Sequence, residues 1–223
     1  MLFMNFLKSL DDLLYEIITW IVFYPVTLWR SVRRPFQMMT YADSELRDTP
    51  EKQYPDVLSP PLFLLLTLLV SHAIELAVVG QSSLVADKQG LAGLVSDDTS
   101  LLLIRLIFFA VFPLIMAVSL LNRQHRKLTR DSLKPPFYAQ CYPAGVFALV
   151  LGIGGLLSQL HAGPAATLIG AAVIVAAFLW YGTLQTLWFK RALGISLPAS
   201  FGIATLTMIA CLLVFVLLAA LLT

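Results

Sequence analysis

Glu75 and Arg105 are fixed charges inside stretches that are otherwise apolar, and this pair is where chemistry is first to be sought. Glu75 stands five residues before Gly80, and Arg105 four residues after Leu101. At a helical rise of 1.5 Å per residue, both lie about 6–8 Å below the same membrane boundary. His72 precedes Glu75 by one turn on the same helix face. An acid, a base and an imidazole at one depth can hold a proton or an anionic group. They can equally clasp two neighbouring helices. A lone charge at this depth costs a few kcal/mol on insertion scales. Pairing offsets part of that cost without proving net stability. Three readings stand: a structural clasp, a polar site opening to the outer side, and Arg105 reaching independently to head groups. The clasp is preferred.

The elements that must position these groups follow from composition. The chain has 223 residues, 59% hydrophobic and 13% charged, with a mean hydropathy of +0.84. Soluble domains carry about a quarter charged residues, so water cannot be the main solvent of this fold. A transmembrane helix needs about 20 mostly apolar residues. Five stretches qualify: 61–80, 101–122, 137–160, 164–189 and 199–222. Pro60-Pro61, Pro135-Pro136, Gly163-Pro164 and Pro198 punctuate them, and proline suits a helix start because its missing N–H has no partner there. The run Leu62–Val70 is almost continuously apolar, unlike the alternating strands of a membrane barrel. The expected class is therefore an all-α integral membrane protein. Its five transmembrane helices are preceded by an amphipathic interfacial helix.

Lys and Arg set the orientation. Arg123, Arg126, Lys127, Arg130 and Lys134 crowd one link against Asp131 alone, and Lys190 and Arg191 follow the fourth span. The intervening link over 81–100 has Lys88 against Asp87, Asp97 and Asp98, and the one over 161–163 has no fixed charge. The N-terminus and the basic links are expected in the cytoplasm and the C-terminus outside. Residues 1–30 form the interfacial segment: Phe3, Phe6, Leu7, Leu10, Leu13, Leu14, Ile17, Ile18 and Ile21 recur at helical steps opposite Lys8, Asp11, Asp12 and Glu16. Ile17–Trp29 is the more apolar part, with Pro25 as a bend, and a re-entrant or sixth span is the alternative there. Residues 31–59 are mixed in charge and read as a solvated cytoplasmic connector, with a docking surface as the sharper option. Residues 60–223 form the membrane domain.

Small residues indicate where helices approach closely. The third span carries Gly145, Gly152, Gly154 and Gly155, and the fourth Gly170, Ala171, Ala172, Ala176 and Ala177. These two helices are expected to make the tight centre, with a subunit interface as the alternative. Tyr138, Gln140 and Tyr142 fall at the depth of Tyr181, Gln185 and Trp188, an arrangement that suits an aromatic belt or a weaker ligand pocket. Cys141 and Cys211 differ in depth by roughly 10 Å, too far for a disulfide. There is no Gly-rich phosphate loop, His-rich metal motif or nucleophile–base pair. A net charge of +2 gives no reason to expect nucleic acid. No enzyme activity, metal or cofactor is expected.

Three segments carry a family resemblance: YPDVLSPPLFLLLTLLVSHAIEL (Tyr54–Leu76), FYAQCYPAGVFALVLGIGG (Phe137–Gly155) and WYGTLQTLWFKRALGISLPASFGIAT (Trp180–Thr205). With the order of spans, they make the region Tyr54–Thr223 resemble the Yip family. These five-span membrane proteins are known in eukaryotes as Rab-GTPase-interacting factors. The chain is most similar to the bacterial branch, whose members are often labelled permeases. The resemblance implies a bacterial inner-membrane protein and transfers no catalytic residue. The expected role is a scaffold or adaptor whose partners are membrane lipids and other integral membrane proteins, or further copies of itself. A small permease using His72, Glu75 and Arg105, or an accessory subunit of a membrane enzyme, are the alternatives. Five spans do not divide into two equal inverted halves, which demotes transport.

Overall fold

The computed structural model describes residues 2–79, 98–160 and 163–222. Among them it has helices and turns but no strand. The helices are α1 (Leu2–Arg33), α2 (Pro35–Glu45), α3 (Pro60–Val79), α4 (Asp98–Arg123), α5 (Arg130–Gln159), α6 (Pro164–Leu193) and α7 (Leu197–Leu222), with a single 3-10 turn at Pro50–Lys52. Six contain segments long and apolar enough to cross a bilayer: Asp11–Arg33, Pro60–Val79, Ile104–Arg123, Arg130–Gln159, Pro164–Leu193 and Leu197–Leu218. The protein is a helical membrane protein. The link bearing Asp87, Lys88 and Asp97, and also His161, lies outside the described residues, as do the side chains of Phe3, Phe6, Leu7, Lys8, Leu10 and Asp98.

Local chemistry explains where the helices stop and start. Prolines open α3 and α6, and Gly163, at φ +98°, makes the turn into α6. Gly194 closes α6 in the left-handed conformation, its N–H donating to Lys190 O at 3.0 Å. At the end of α4 the same role falls to His125, at φ +53°. Its N–H and that of Arg126 donate to Asn122 O and Leu121 O, the paired bonds of a Schellman cap.

One boundary differs from expectation. The third span was expected to begin at Phe137, after Pro135-Pro136, but α5 begins at Arg130 and carries both prolines inside it. Thr129 and Ser132 form a reciprocal capping box that starts the helix earlier. Half of the supposed basic loop is therefore helix. Arg123 ends α4, Arg130 and Lys134 ride on the first turns of α5, and only Arg126 and Lys127 lie in the link itself.

Helix α5 is the hub, packed against α3, α4, α6 and α2, while α7 closes the ring between α4 and α6. At one end of the bundle, Met38, Met39, Ala42, Val57 and Leu58 bury against Phe63 and Tyr142. Deeper, Phe112, Met116, Phe147, Tyr181 and Cys211 fill the space between α4, α5, α6 and α7. Leu168, Leu179, Phe201, Leu206 and Leu213 are exposed on the outer faces, as expected where lipid rather than water is the surroundings.

Two N-terminal expectations change in detail. The connector over 31–59 is not simply solvated. Met38, Met39 and Ala42 form an apolar strip on α2 that is sealed against the bundle, leaving Thr40, Asp43 and other polar residues outward or at the margin. Helix α1 continues unbroken through Pro25 over 32 residues. It joins the bundle through its second half. Tyr24 stacks on Phe63 at 5.8 Å between ring centroids, and Thr27 Oγ1 accepts from the Leu58 N–H at 3.0 Å. Leu13, Leu14, Ile18, Ile21 and Val22 remain exposed.

Candidate functional site

Helices α3 and α4 bring His72, Glu75 and Arg105 together. The Arg105 guanidinium donates to Glu75 Oε2, and its other terminal nitrogen lies 3.3 Å from His72 Nδ1. His72 Nδ1 is itself 3.9 Å from Glu75 Oε2. The side chains are 5%, 16% and 19% exposed for His72, Glu75 and Arg105 respectively. So the cluster is largely removed from its surroundings yet not sealed. Glu75 and Arg105 meet because α3 and α4 pack as neighbours, as counting residues along the two spans suggested. The arrangement can fasten two helices, and it can present one face of a guanidinium–carboxylate pair to an incoming proton or small anion.

The second polar feature lies on α5 and α6. Gln140 and Gln185, both buried, exchange reciprocal amide bonds at 2.9 and 2.6 Å. In this geometry each amide satisfies the other without water, and its specificity suits the register of two close helices. Tyr142 donates to the Leu58 carbonyl at 2.8 Å. On the α4–α7 side, the Ser119 and Thr207 hydroxyls meet at 2.9 Å. The expected belt of Tyr138, Gln140, Tyr142, Tyr181, Gln185 and Trp188 is thus partly an internal polar lock. Tyr181 instead stacks on Phe147, with centroids 4.6 Å apart, and its fully buried hydroxyl has no hydrogen-bond partner among the described residues.

The small residues divide between two interfaces. A Cβ placed on Gly170 would lie 2.6 Å from the Gly154 carbonyl oxygen and 2.6 Å from the Ser158 nitrogen. At this crossing the α5 and α6 backbones touch, as the sequence suggested. Gly145 and Gly152 face α3 instead: a Cβ would meet Phe63 at the first and Ser71 at the second. Gly155 has open space, so it is not a packing residue here. The tight centre is therefore α5 held between α3 and α6, because its small residues fall on more than one face of a helix turning every 3.6 residues.

A further cluster was not legible in the sequence. Arg30, at the end of α1, pairs with Asp56 at 2.6 Å, and the Tyr41 hydroxyl donates to the other Asp56 oxygen at 2.7 Å. The Arg30 hydrogen bond, helped by Tyr41, holds the Asp56 carboxyl below its ordinary value despite partial burial. Burial first, and then the Asp56 hydrogen bond, push the Tyr41 hydroxyl upward. Tyr54, left-handed at φ +57°, is held by Glu45 on its N–H and by the Ala42 carbonyl on its hydroxyl. Nothing in the spacing of Arg30, Tyr41 and Asp56 announces this contact, since it depends on how α2 folds back.

Among the described residues, no group of three or more His, Cys, Asp or Glu side chains is placed to hold a metal ion. Cys141 and Cys211 are both free and buried. Comparison with known protein families, curated proteins and solved structures gives no match.

Proposed function

We propose that the protein is a non-enzymatic scaffold or adaptor of a bacterial inner membrane, related in layout to the Yip proteins. The observation that carries this reading is the filled middle of the bundle. Phe112 and Phe147 pack 5.4 Å apart, Phe147 stacks on Tyr181, and Gln140 and Gln185 spend their amides on each other. Such an interior offers rigid outer faces and a structured N-terminal apron to partners, and it leaves little for a solute to replace.

In this reading five helices, α3 to α7, span the membrane, and α1 lies along the cytoplasmic interface. Glu16 supports that placement. Were α1 upright with Arg30 at the boundary, Glu16 would sit about 21 Å further in, within a hydrocarbon core about 30 Å thick. Glu16 is exposed, and its carboxylate is joined to the Trp20 indole at 3.2 Å. The basic residues at Arg123–Lys134 and at Lys190 and Arg191 then face the cytoplasm, and the C-terminus faces outward. Partners are membrane lipids and other integral membrane proteins, or further copies of the chain.

A second reading, a small permease, is favoured by the convergence of His72, Glu75 and Arg105 toward the outer end of α3 and α4. Purification from native membranes in mild detergent separates the two. The scaffold reading expects a partner, a second membrane protein or another copy, at fixed stoichiometry, and no solute-dependent change in thermal midpoint that is lost on Glu75→Gln. An accessory subunit would appear as a fixed complex that has enzyme activity. A chain without fixed partners that is stabilised by a particular solute, with the stabilisation lost on Glu75→Gln, would overturn the scaffold in favour of transport.

A further inference from the structure

Between the end of α1, the start of α2 and the segment before α3 lies a cavity of about 510 Å3. That is within the range of small-ligand sites. Its charged lining comprises Arg30, Arg33, Arg34 and Asp56. Asp56 is already occupied at both oxygens, by Arg30 and by Tyr41. Its negative charge is therefore matched within the wall. The remaining cations, Arg33 and Arg34, have no acidic partner among the described residues, and both are exposed. The Arg33 guanidinium carbon lies 4.3 Å from the Trp29 ring centroid, a cation–π contact that uses none of its N–H donors.

Two further features point to an anion. Arg34 is the N-cap of the eleven-residue α2, which begins with Pro35 and has no side-chain cap on its first amides. An uncapped N-terminus beside spare guanidiniums favours an oxyanion. Trp29 is 59% exposed at the end of the apolar run of α1, the position that tryptophan takes at head-group level. The cavity thus opens where lipid phosphates lie.

We propose that this cavity binds a phosphate ester at the membrane surface, with Arg33 and Arg34 as donors and the Arg30–Asp56–Tyr41 cluster as its fixed wall. The phosphate is that of an anionic lipid head group or of a free phosphate compound. The site is separate from the scaffold reading and does not depend on it.

The test uses the full chain in phosphatidylcholine nanodiscs. Short-chain phosphatidylglycerol and inorganic phosphate are titrated separately, and thermal midpoint and native mass spectrometry report binding. Phosphatidylglycerol is expected to bind in preference to phosphatidylcholine, less tightly as salt rises. Arg33→Gln with Arg34→Gln should weaken it by about 30-fold, each cation near a membrane surface being worth about fivefold. Lys127→Gln with Arg130→Gln removes the same charge elsewhere and should leave binding unchanged. Arg33→Lys with Arg34→Lys keeps the charge but loses the planar fork; it should weaken binding by a smaller factor and serves if the glutamine variant does not fold. Binding of inorganic phosphate as tight as that of the lipid would make the free compound the ligand; preference for phosphatidylglycerol makes it the head group. Equal binding by wild type and both Arg33/Arg34 variants, or no preference of the wild type for either phosphate probe over phosphatidylcholine and chloride, overturns the proposal.

Discussion

Removing the charge of Glu75 alone should destabilise the bundle far more than removing Glu75 and Arg105 together. Glu75→Gln keeps the side-chain shape but leaves the guanidinium facing a neutral amide beside His72. Breaking a buried ion pair from one side costs about 3–5 kcal/mol. With 16% and 19% of the two side chains exposed, the cost falls just below that range, at about 2–3 kcal/mol. Arg105→Gln should cost a similar amount. The double variant strands no charge and should fall within about 1 kcal/mol of wild type, giving a coupling of several kcal/mol in the cycle. Exchanging the charges, Glu75→Arg with Arg105→Glu, should restore stability and any partner assembly together. Reversible unfolding in mixed micelles reads all four. Additive single effects, or an exchanged variant no better than the singles, would refute the clasp and favour a site in which each group has its own task.

Three further outcomes follow from the packing and the Arg30–Tyr41–Asp56 cluster. Gly170→Val forces a branched side chain against the Gly154 carbonyl, and should cost about 1–3 kcal/mol by overpacking and lower the unfolding midpoint, whereas Gly155→Val, facing open space, should change it little. Tyr181→Phe removes a buried hydroxyl that lacks a partner among the described residues and should raise stability by about 1 kcal/mol; a fall in the thermal midpoint would mean that the hydroxyl is bonded after all. Because the folded Asp56 pKa lies below its ordinary value of 3.8, its stabilising contribution is fully present above that pH and disappears as acid takes the solution through the folded value. With both partners about half exposed, that contribution stays under about 1 kcal/mol after screening, so Asp56→Asn should flatten the acid limb of a pH–stability curve only slightly.

Long apolar runs and their punctuation were legible because lipid demands that each crossing segment satisfy its own backbone. Thus α3, α6 and α7 begin within two residues of the expected positions. The meeting of Glu75 and Arg105 was legible for the same reason, since rise per residue sets which positions of two neighbouring helices lie level. The start of α5 was misread because Pro135-Pro136 looked like a boundary, while the Thr129–Ser132 cap upstream outweighs it. Which neighbour each glycine faces was not legible either. Gly145 and Gly152 turn to α3 and Gly154 to α6, a choice set by helix rotation rather than by composition. The Met38–Met39–Ala42 strip was visible as residues, but its burial depends on α2 folding back under the bundle. Charge counting alone leaves such a segment in water.

The most direct test of the account is the sidedness of the links, read with a membrane-impermeant thiol reagent. Cys141 and Cys211 are buried, so Arg126→Cys and Asp97→Cys report over a low background in right-side-out and inverted vesicles. Arg126→Cys should react only in the inverted vesicles and Asp97→Cys only in the right-side-out ones. Labelling of both from one side would contradict it.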